Sequence, residues 1–365
     1  MIKFWFRDNK DIGKNLFEAC ESGDIEKVQQ FLKNPKSNPN YQAVIDDKIS
    51  HEKGETSLYI ACEKGYSEIV KLLLNDNRVD VNITTKYSET PLYVACENGY
   101  IDIVKLLLND RRVDVNKHDK DGQTPLYVAC KYGQIEIVEL LLNDNRIDLN
   151  IARNFGDETP FYIACFNGDI EILELLLNDE RVDINQATYD GKTPLYIACR
   201  DKHIEIVKLL LNDNRIDINQ VDNDSWAPLH IACYQGHTEI VELLLNDEKI
   251  DVNKVEDRFG TAPFYIACYY GYIEIAKLLM MDQRVDVNKA DLWKKTPFWI
   301  ACDHRRIEIV KLLLNESKID INQGDINVGE TPLYLSCRNG SIEIVEYMLA
   351  SGREVDINAK KEKQQ

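Results

Sequence analysis

Cysteine sets the ruler for this chain. Its ten cysteines stand at positions 20, 62, 96, 130, 165, 199, 233, 268, 302 and 337, and after the first interval the spacing is always 34 or 35 residues. A chain of 365 residues is long enough for two ordinary domains, but a fixed period of this length points instead to an array of ten like units. A unit this short cannot bury an apolar face alone, so each must stack on its neighbours, and stability becomes a sum over adjacent pairs.

The stretch from Thr124 to Asn150, TPLYVACKYGQIEIVELLLNDNRIDLN, gives the anatomy of one unit. Thr124 is a good helix N-cap, Pro125 suits the first helical position, and Gly133 can take the left-handed conformation that ends a helix, which predicts a helix over Pro125–Tyr132. A second helix is predicted from the apolar stripe Ile135, Val138, Leu141 and Leu142, with Glu136 and Glu139 off it. It stops in the polar run Asn143-Asp144-Asn145, and Ile147 to Asn150 follow as an extended tail.

Near copies run through the chain: ETPLYVACENGYIDIVKLLLNDRRVDVN from Glu89, KTPLYIACRDKHIEIVKLLLNDNRIDIN from Lys192, and APLHIACYQGHTEIVELLLNDEKIDVN from Ala227. These words closely resemble the ankyrin repeat family, and the resemblance covers Ile12 to Asn358. Three departures stand out. The usual His of the opening word is mostly Tyr, the Gly before the closing DVN word is absent, and the unit is slightly longer than the family's about 33 residues. The resemblance implies an all-α repeat solenoid, a curved stack of about ten helix-turn-helix units with short β-hairpin fingers. It also implies a concave groove lined by the fingers and the first helices, used to bind other proteins.

On this reading residues 1–10 form an aromatic segment, with Phe4, Trp5 and Phe6 covering the first unit. Residues 11–50 are a capping repeat with a long loop, 51–358 are nine repeats, and 359–365 are a charged, disordered tail. Lys202 and Arg305 replace the Gly that ends the first helix elsewhere, so either the turn changes there or a residue accepts strain of about 1 kcal/mol.

Several function classes are disfavoured. There is no GxSxG, no phosphate-binding glycine loop and no HExxH, and the carboxylates repeat at fixed register instead of converging, so no enzyme activity is expected. His230, Cys233 and His237 have ligand-like spacing, but His230 and Cys233 have scaffold explanations and a fourth ligand is missing; no metal or cofactor is expected. Equivalent cysteines in stacked units lie about 10 Å apart, too far for a disulfide, so they read as small buried residues in a reducing, cytoplasmic setting. The formal net charge of -18 disfavours nucleic acid and anionic lipid, and no stretch suits membrane insertion.

Two columns repeat. Arg78, Arg112, Arg146, Arg181, Arg215, Lys249, Arg284 and Lys318 each have an acid two residues before and an Asp two residues after. They are expected to form an inter-repeat salt-bridge ladder, each exposed pair contributing under about 1 kcal/mol. The Tyr of the opening word, as at Tyr59, Tyr93 and Tyr265, is expected to pack between first helices while its hydroxyl reaches a finger.

Function then falls to positions that do not repeat. The finger tips carry Tyr87, Phe155, Tyr189, Trp226, Phe259 and Trp293. The two residues after each core cysteine supply Tyr132, Phe166, Tyr234, Tyr269 and Tyr270. Aromatic rings at solvent-facing sites are the material of binding hot spots. Tyr132, Phe155, Phe166, Tyr189, Trp226, Tyr234, Phe259, Tyr269, Tyr270 and Trp293 are therefore the candidate partner-binding residues, in an aromatic, acid-rimmed groove over units five to nine. The expected partner of this monomeric scaffold or adaptor is a protein segment with basic and apolar character. The alternative is an inhibitor or regulatory subunit that covers the active site of a partner enzyme.

Overall fold

The computed structural model describes residues 13–42 and 54–357. The aromatic segment at 1–10, most of the long loop and the charged tail at 359–365 lie outside the described residues. Among the described residues ten helix pairs follow one another, and the chain divides into two compact units between Tyr189 and Asp190, five of these pairs on either side. The division falls inside a finger, where neither composition nor linker marks it.

In the first unit the fourth repeat shows why these residues fold as they do. Thr124 sits in extended backbone and its Oγ1 accepts from the Tyr127 N–H at 3.1 Å, capping the inner helix Pro125–Lys131. That helix ends in a left-handed Gly133 (φ 70°), with the Gln134 N–H donating back to the Ala129 carbonyl at 2.9 Å. The outer helix Ile135–Leu142 follows at once, with Glu136 in its first turn. Its buried face is Ile137, Val138 and Leu141, whereas Ile135 and Leu142 are only half-buried. The sequence stripe was therefore displaced, because the face that meets the inner helix and the neighbouring repeat begins two residues later.

Inner helices pack on inner helices and outer on outer within each unit. Leu126, Val128, Ala129 and Cys130 are fully buried between inner helices, and Ile147 and Leu149 of the tail close the base. The second unit repeats this plan from Pro194–Arg200 to Ile342–Ala350. Its last repeat departs at Cys337, which is exposed, unlike the nine buried cysteines before it. No described inner helix covers that side of Pro332–Arg338.

The fingers are single-rung loops. The Asp119 N–H donates to the Gln123 carbonyl at 3.1 Å and Gly122 turns the tip at φ 80°, but no ladder follows. Among the described residues the isolated strand bridge is Gln42 with Thr56. Fingers are joined to one another by main chain, as where the Lys120 N–H donates to the Tyr87 carbonyl at 2.9 Å.

The basic column is not an inter-repeat salt-bridge ladder. Asp110, Asp144 and Asp179 pair at 2.6 Å with the Arg two residues on, inside one connector. The guanidinium then crosses to the preceding repeat and donates to a carbonyl at the end of its outer helix: Arg112 to Leu74, Arg146 to Leu108 and Arg181 to Leu142, each at 2.9 Å. Those last carbonyls have no partner in their own helix and carry the negative end of its dipole, so a cation suits them. The Asp after the Arg has another task. Asp148 Oδ1 accepts from the Asn150 N–H at 3.0 Å in a local turn.

A second ladder runs beside it. Asn116 donates to the Arg146 carbonyl and accepts from the Asp148 N–H, both at 2.8 Å, and Asn82, Asn253 and Asn288 repeat the pattern. These closing-word asparagines hold the register of successive connectors.

Candidate functional site

Five fingers begin on a carboxylate that organises its own loop, Asp119, Asp222, Glu256, Asp291 and Asp325, whereas Thr85, Arg153 and Thr188 hold that place in others. Asp291 is buried, and its Oδ1 accepts from the Trp293 and Lys295 N–H groups at 2.9 and 2.8 Å. Its Oδ2 takes the hydroxyl of Tyr265 from the repeat before at 3.0 Å. The opening-word Tyr thus reaches a finger, as its amphipathic ring allows. Burial first, then the Asp291 charge, pushes the Tyr265 hydroxyl well above its usual range, so it remains a donor. Trp299 keeps the geometry with different chemistry, its Nε1 donating to the Glu330 carbonyl at 2.7 Å.

Fixed in this way, the tips and inner-helix ends of repeats seven to nine enclose a cleft of about 380 Å³, all within the second unit. Trp226 precedes the inner helix Pro228–Gln235, its finger turned by Ser225 at φ 63°. Tyr234 lies in the last turn of that helix, 5.3 Å from Trp226 at an interplanar angle of 79°. Tyr270, at the end of Pro263–Tyr270, meets Tyr234 at 5.2 Å and 82°, and Tyr269 at 4.8 Å and 61°. Tyr269 in turn lies 4.2 Å from His304. Phe259 and Trp293 form the tip side at 5.8 Å. Near-perpendicular contacts set edges against faces, the favoured arrangement of aromatic quadrupoles, and they build corners instead of a flat stack.

Successive residues on a helix point about 100° apart, so Tyr269 and Tyr270 cannot share one buried face, and both are half-buried. Burial, then hydrogen bonding with Tyr234, pushes the Tyr270 hydroxyl up to about 12. Trp226 is also half-buried, while Tyr234, Phe259 and Trp293 are exposed.

The structure thus brings together Trp226, Tyr234, Phe259, Tyr269, Tyr270 and Trp293. Tyr132, Phe155, Phe166 and Tyr189 are exposed in the first unit and do not line the cleft. The grouping spans repeats seven to nine, a shorter stretch than the sequence-based groove. Sequence reasoning missed Thr261, Asp291, Lys295, Asp303 and His304, which also line it. Asp303 and His304 occupy the two positions after Cys302 that supplied Tyr269 and Tyr270 after Cys268, so position marked them where aromatic character did not.

His230 stands apart from any ligand role. It is fully buried, its Nδ1 accepts from the Ala227 N–H at 3.1 Å, and burial lowers its pKa to about 4, leaving it neutral. His237 faces the Arg200 carbonyl at 3.1 Å, and Cys233 is buried with its thiol pushed up by desolvation. Among the described residues no three His, Cys, Asp or Glu side chains gather as a metal site. Wider grooves of about 600 and 850 Å³ open along the outer helices, lined by Lys208, Leu211, Asn246 and Lys249 in one and by Lys105, Asn109 and Arg146 in another, positions that recur in several repeats. No helix among the described residues is long and apolar enough to cross a membrane.

Stacked antiparallel helix pairs with projecting loops define a repeat solenoid. The model for ankyrin repeats in sets of three matches residues 16–119, 77–153, 111–188, 147–222, 214–291 and 264–361, and the chain belongs to the ankyrin repeat family. The crystal structure of the ankyrin repeat domain of Bcl-3, a unique member of the IkappaB protein family, is similar with a TM-score of 0.55. At 20% identity, over 63% of this chain and 97% of that one, the likeness is one of fold.

Proposed function

We propose that this chain is a noncatalytic scaffold that holds a partner protein in the aromatic cleft of repeats seven to nine. Membership of the ankyrin repeat family makes protein interaction its general role. The observation that carries the particular reading is the convergence of six aromatic side chains from three fingers and two helix ends on one 380 Å³ cleft. A scaffold gains nothing from clustering rings at its edge, because the core is already closed by the Leu, Ile, Ala and Cys columns. Clustered, partly exposed rings do suit a binding hot spot.

The test is affinity capture from a native extract with the wild-type chain and with Trp226→Ala/Tyr269→Ala/Trp293→Ala. The wild type should retain a protein that the variant loses, while the far-ultraviolet CD spectrum of the two coincides. Retention of the same proteins by both would refute the assignment, as would loss of helical signal in the variant.

A further inference from the structure

The cleft holds two carboxylates, Asp291 and Asp303, neither in a salt bridge with a lysine or arginine among the described residues. Asp291 is satisfied by two N–H groups and the Tyr265 hydroxyl. Asp303 has only weak partners, Asn339 Nδ2 at 3.4 Å and His304 Nδ1 at 3.9 Å. Lys295, the cation on the cleft wall, forms no salt bridge with either and sits 4.4 Å over the Trp299 ring. Asp303 is thus a half-buried carboxylate beside aromatic faces, with no lysine or arginine in salt-bridge contact, in a chain of net charge -18.

From this we infer that the occupant is an arginine side chain of the partner, its guanidinium seated between the aromatic walls and hydrogen-bonded to Asp303. This rests on the reading of the cleft as the partner site and names what enters it. Three observations favour arginine. The rings of Trp226, Tyr234 and Tyr270 meet at 79° and 82°, so the corner presents more than one π-face to a planar cation. A guanidinium stacks on such faces and still directs a fork of N–H donors at a carboxylate, which an ammonium does not do. The chain's own Arg258 already lies over Phe259, 4.8 Å from the ring centroid at the tip side of the cleft, so these rings accept a guanidinium in this setting. The size agrees as well: about 380 Å³ is near the lower bound of ligand pockets, room for one long side chain and part of its neighbours but not for a docked helix.

The experiment is selection of a random twelve-residue displayed peptide library on the full chain, followed by affinity measurement on the best synthetic peptide. Selected peptides should share one arginine flanked by apolar residues. Asp303→Asn should weaken the best peptide about tenfold, and replacing its arginine by citrulline, which is isosteric and neutral, should weaken it by at least as much. The two changes together should cost no more than the citrulline change alone, since they break one contact. Peptides rich in proline or uncharged residues that still require Trp226 and Tyr270 would overturn the arginine assignment while leaving the binding cleft standing. Peptides bound equally well by Trp226→Ala/Tyr269→Ala/Trp293→Ala would overturn both. Equal binding of the arginine and citrulline peptides, or no enrichment at all, would also overturn the arginine assignment, whatever Asp303→Asn does to folding.

Discussion

Replacing Arg146 by alanine separates two accounts of the basic column. In the fold its Nη2 donates to the Leu108 carbonyl at 2.9 Å and its Nη1 to the Val113 carbonyl at 3.1 Å, both in the preceding repeat. The Asp144 contact at 2.6 Å stays inside the connector. Removing one hydrogen bond from a charged donor costs about 1.5 to 3 kcal/mol when nothing replaces it. The Arg146 side chain is 34% exposed, so water recovers part of the loss, and the two bonds come to about 2 kcal/mol in place of the full sum. Asp144→Asn keeps an oxygen for the Arg146 N–H but loses the charge and the acceptor of Arg146 Nη2, a partly exposed pair worth about 0.5 kcal/mol. A repeat array opens in parts, so the readout must be local: native-state hydrogen exchange of the helix Ile101–Asn109, whose end Arg146 caps. About 2 kcal/mol corresponds to roughly thirtyfold faster exchange in Arg146→Ala, against two- to threefold in Asp144→Asn. Salt of 1 M, where the Debye length is about 3 Å, should leave the larger effect mostly intact. Equal effects of the two variants, both vanishing in high salt, would show that charge pairing and not helix capping sustains the column.

Other outcomes follow from the same geometry. Hydrogen bonding from the neighbouring Arg holds Asp76, Asp110, Asp144, Asp213 and Asp282 below the usual carboxylate value of 3.8. A depressed folded pKa gives stability that is present above about pH 4 and lost as pH falls through the folded value. The urea midpoint should therefore be flat through neutral pH and drop below about pH 4, and Asp144→Asn should reduce that drop; an equal drop in the variant would contradict the linkage. Lys202 adopts φ 64°, so Lys202→Gly should relieve about 1 kcal/mol and raise the unfolding midpoint of the second unit; a lowered midpoint would show that the turn is unstrained. Burial pushes the Cys62, Cys96 and Cys302 thiols up, whereas Cys337 is exposed. Iodoacetamide should thus add once to the native chain, at Cys337, and ten times after unfolding, and several native adducts by mass spectrometry would contradict the burial pattern.

Much of the fold was legible because period, caps and breakers all pointed one way. Thr124, Pro125 and Gly133 placed one helix to within a residue, and the ten cysteines counted the pairs. What composition could not convey was direction. The acids around Arg146 looked equivalent in sequence, yet one binds the guanidinium and the other turns the backbone, a distinction set by where the preceding helix ends. Lys202 and Arg305 take φ 64° and 52°, so the turn persists and the side chain bears the strain, an alternative that sequence left open. The cleft was half legible for a related reason. Rings that break a repeat are visible in a line of text, but Asp303 and His304 become cleft residues only when three fingers and three helix ends are brought side by side.

Several tips are tied to the next by main-chain hydrogen bonds. The carbonyls of Tyr87, Phe259 and Trp293 accept from the N–H groups of Lys120, Leu292 and Ile326 at 2.9, 2.9 and 2.8 Å. These three bonds use no side-chain atom, so the tip residue can change without loosening them, and only proline is barred from the donating position, for want of an N–H. Descent can therefore rewrite what such a protein grips one letter at a time, leaving the grammar of its support untouched.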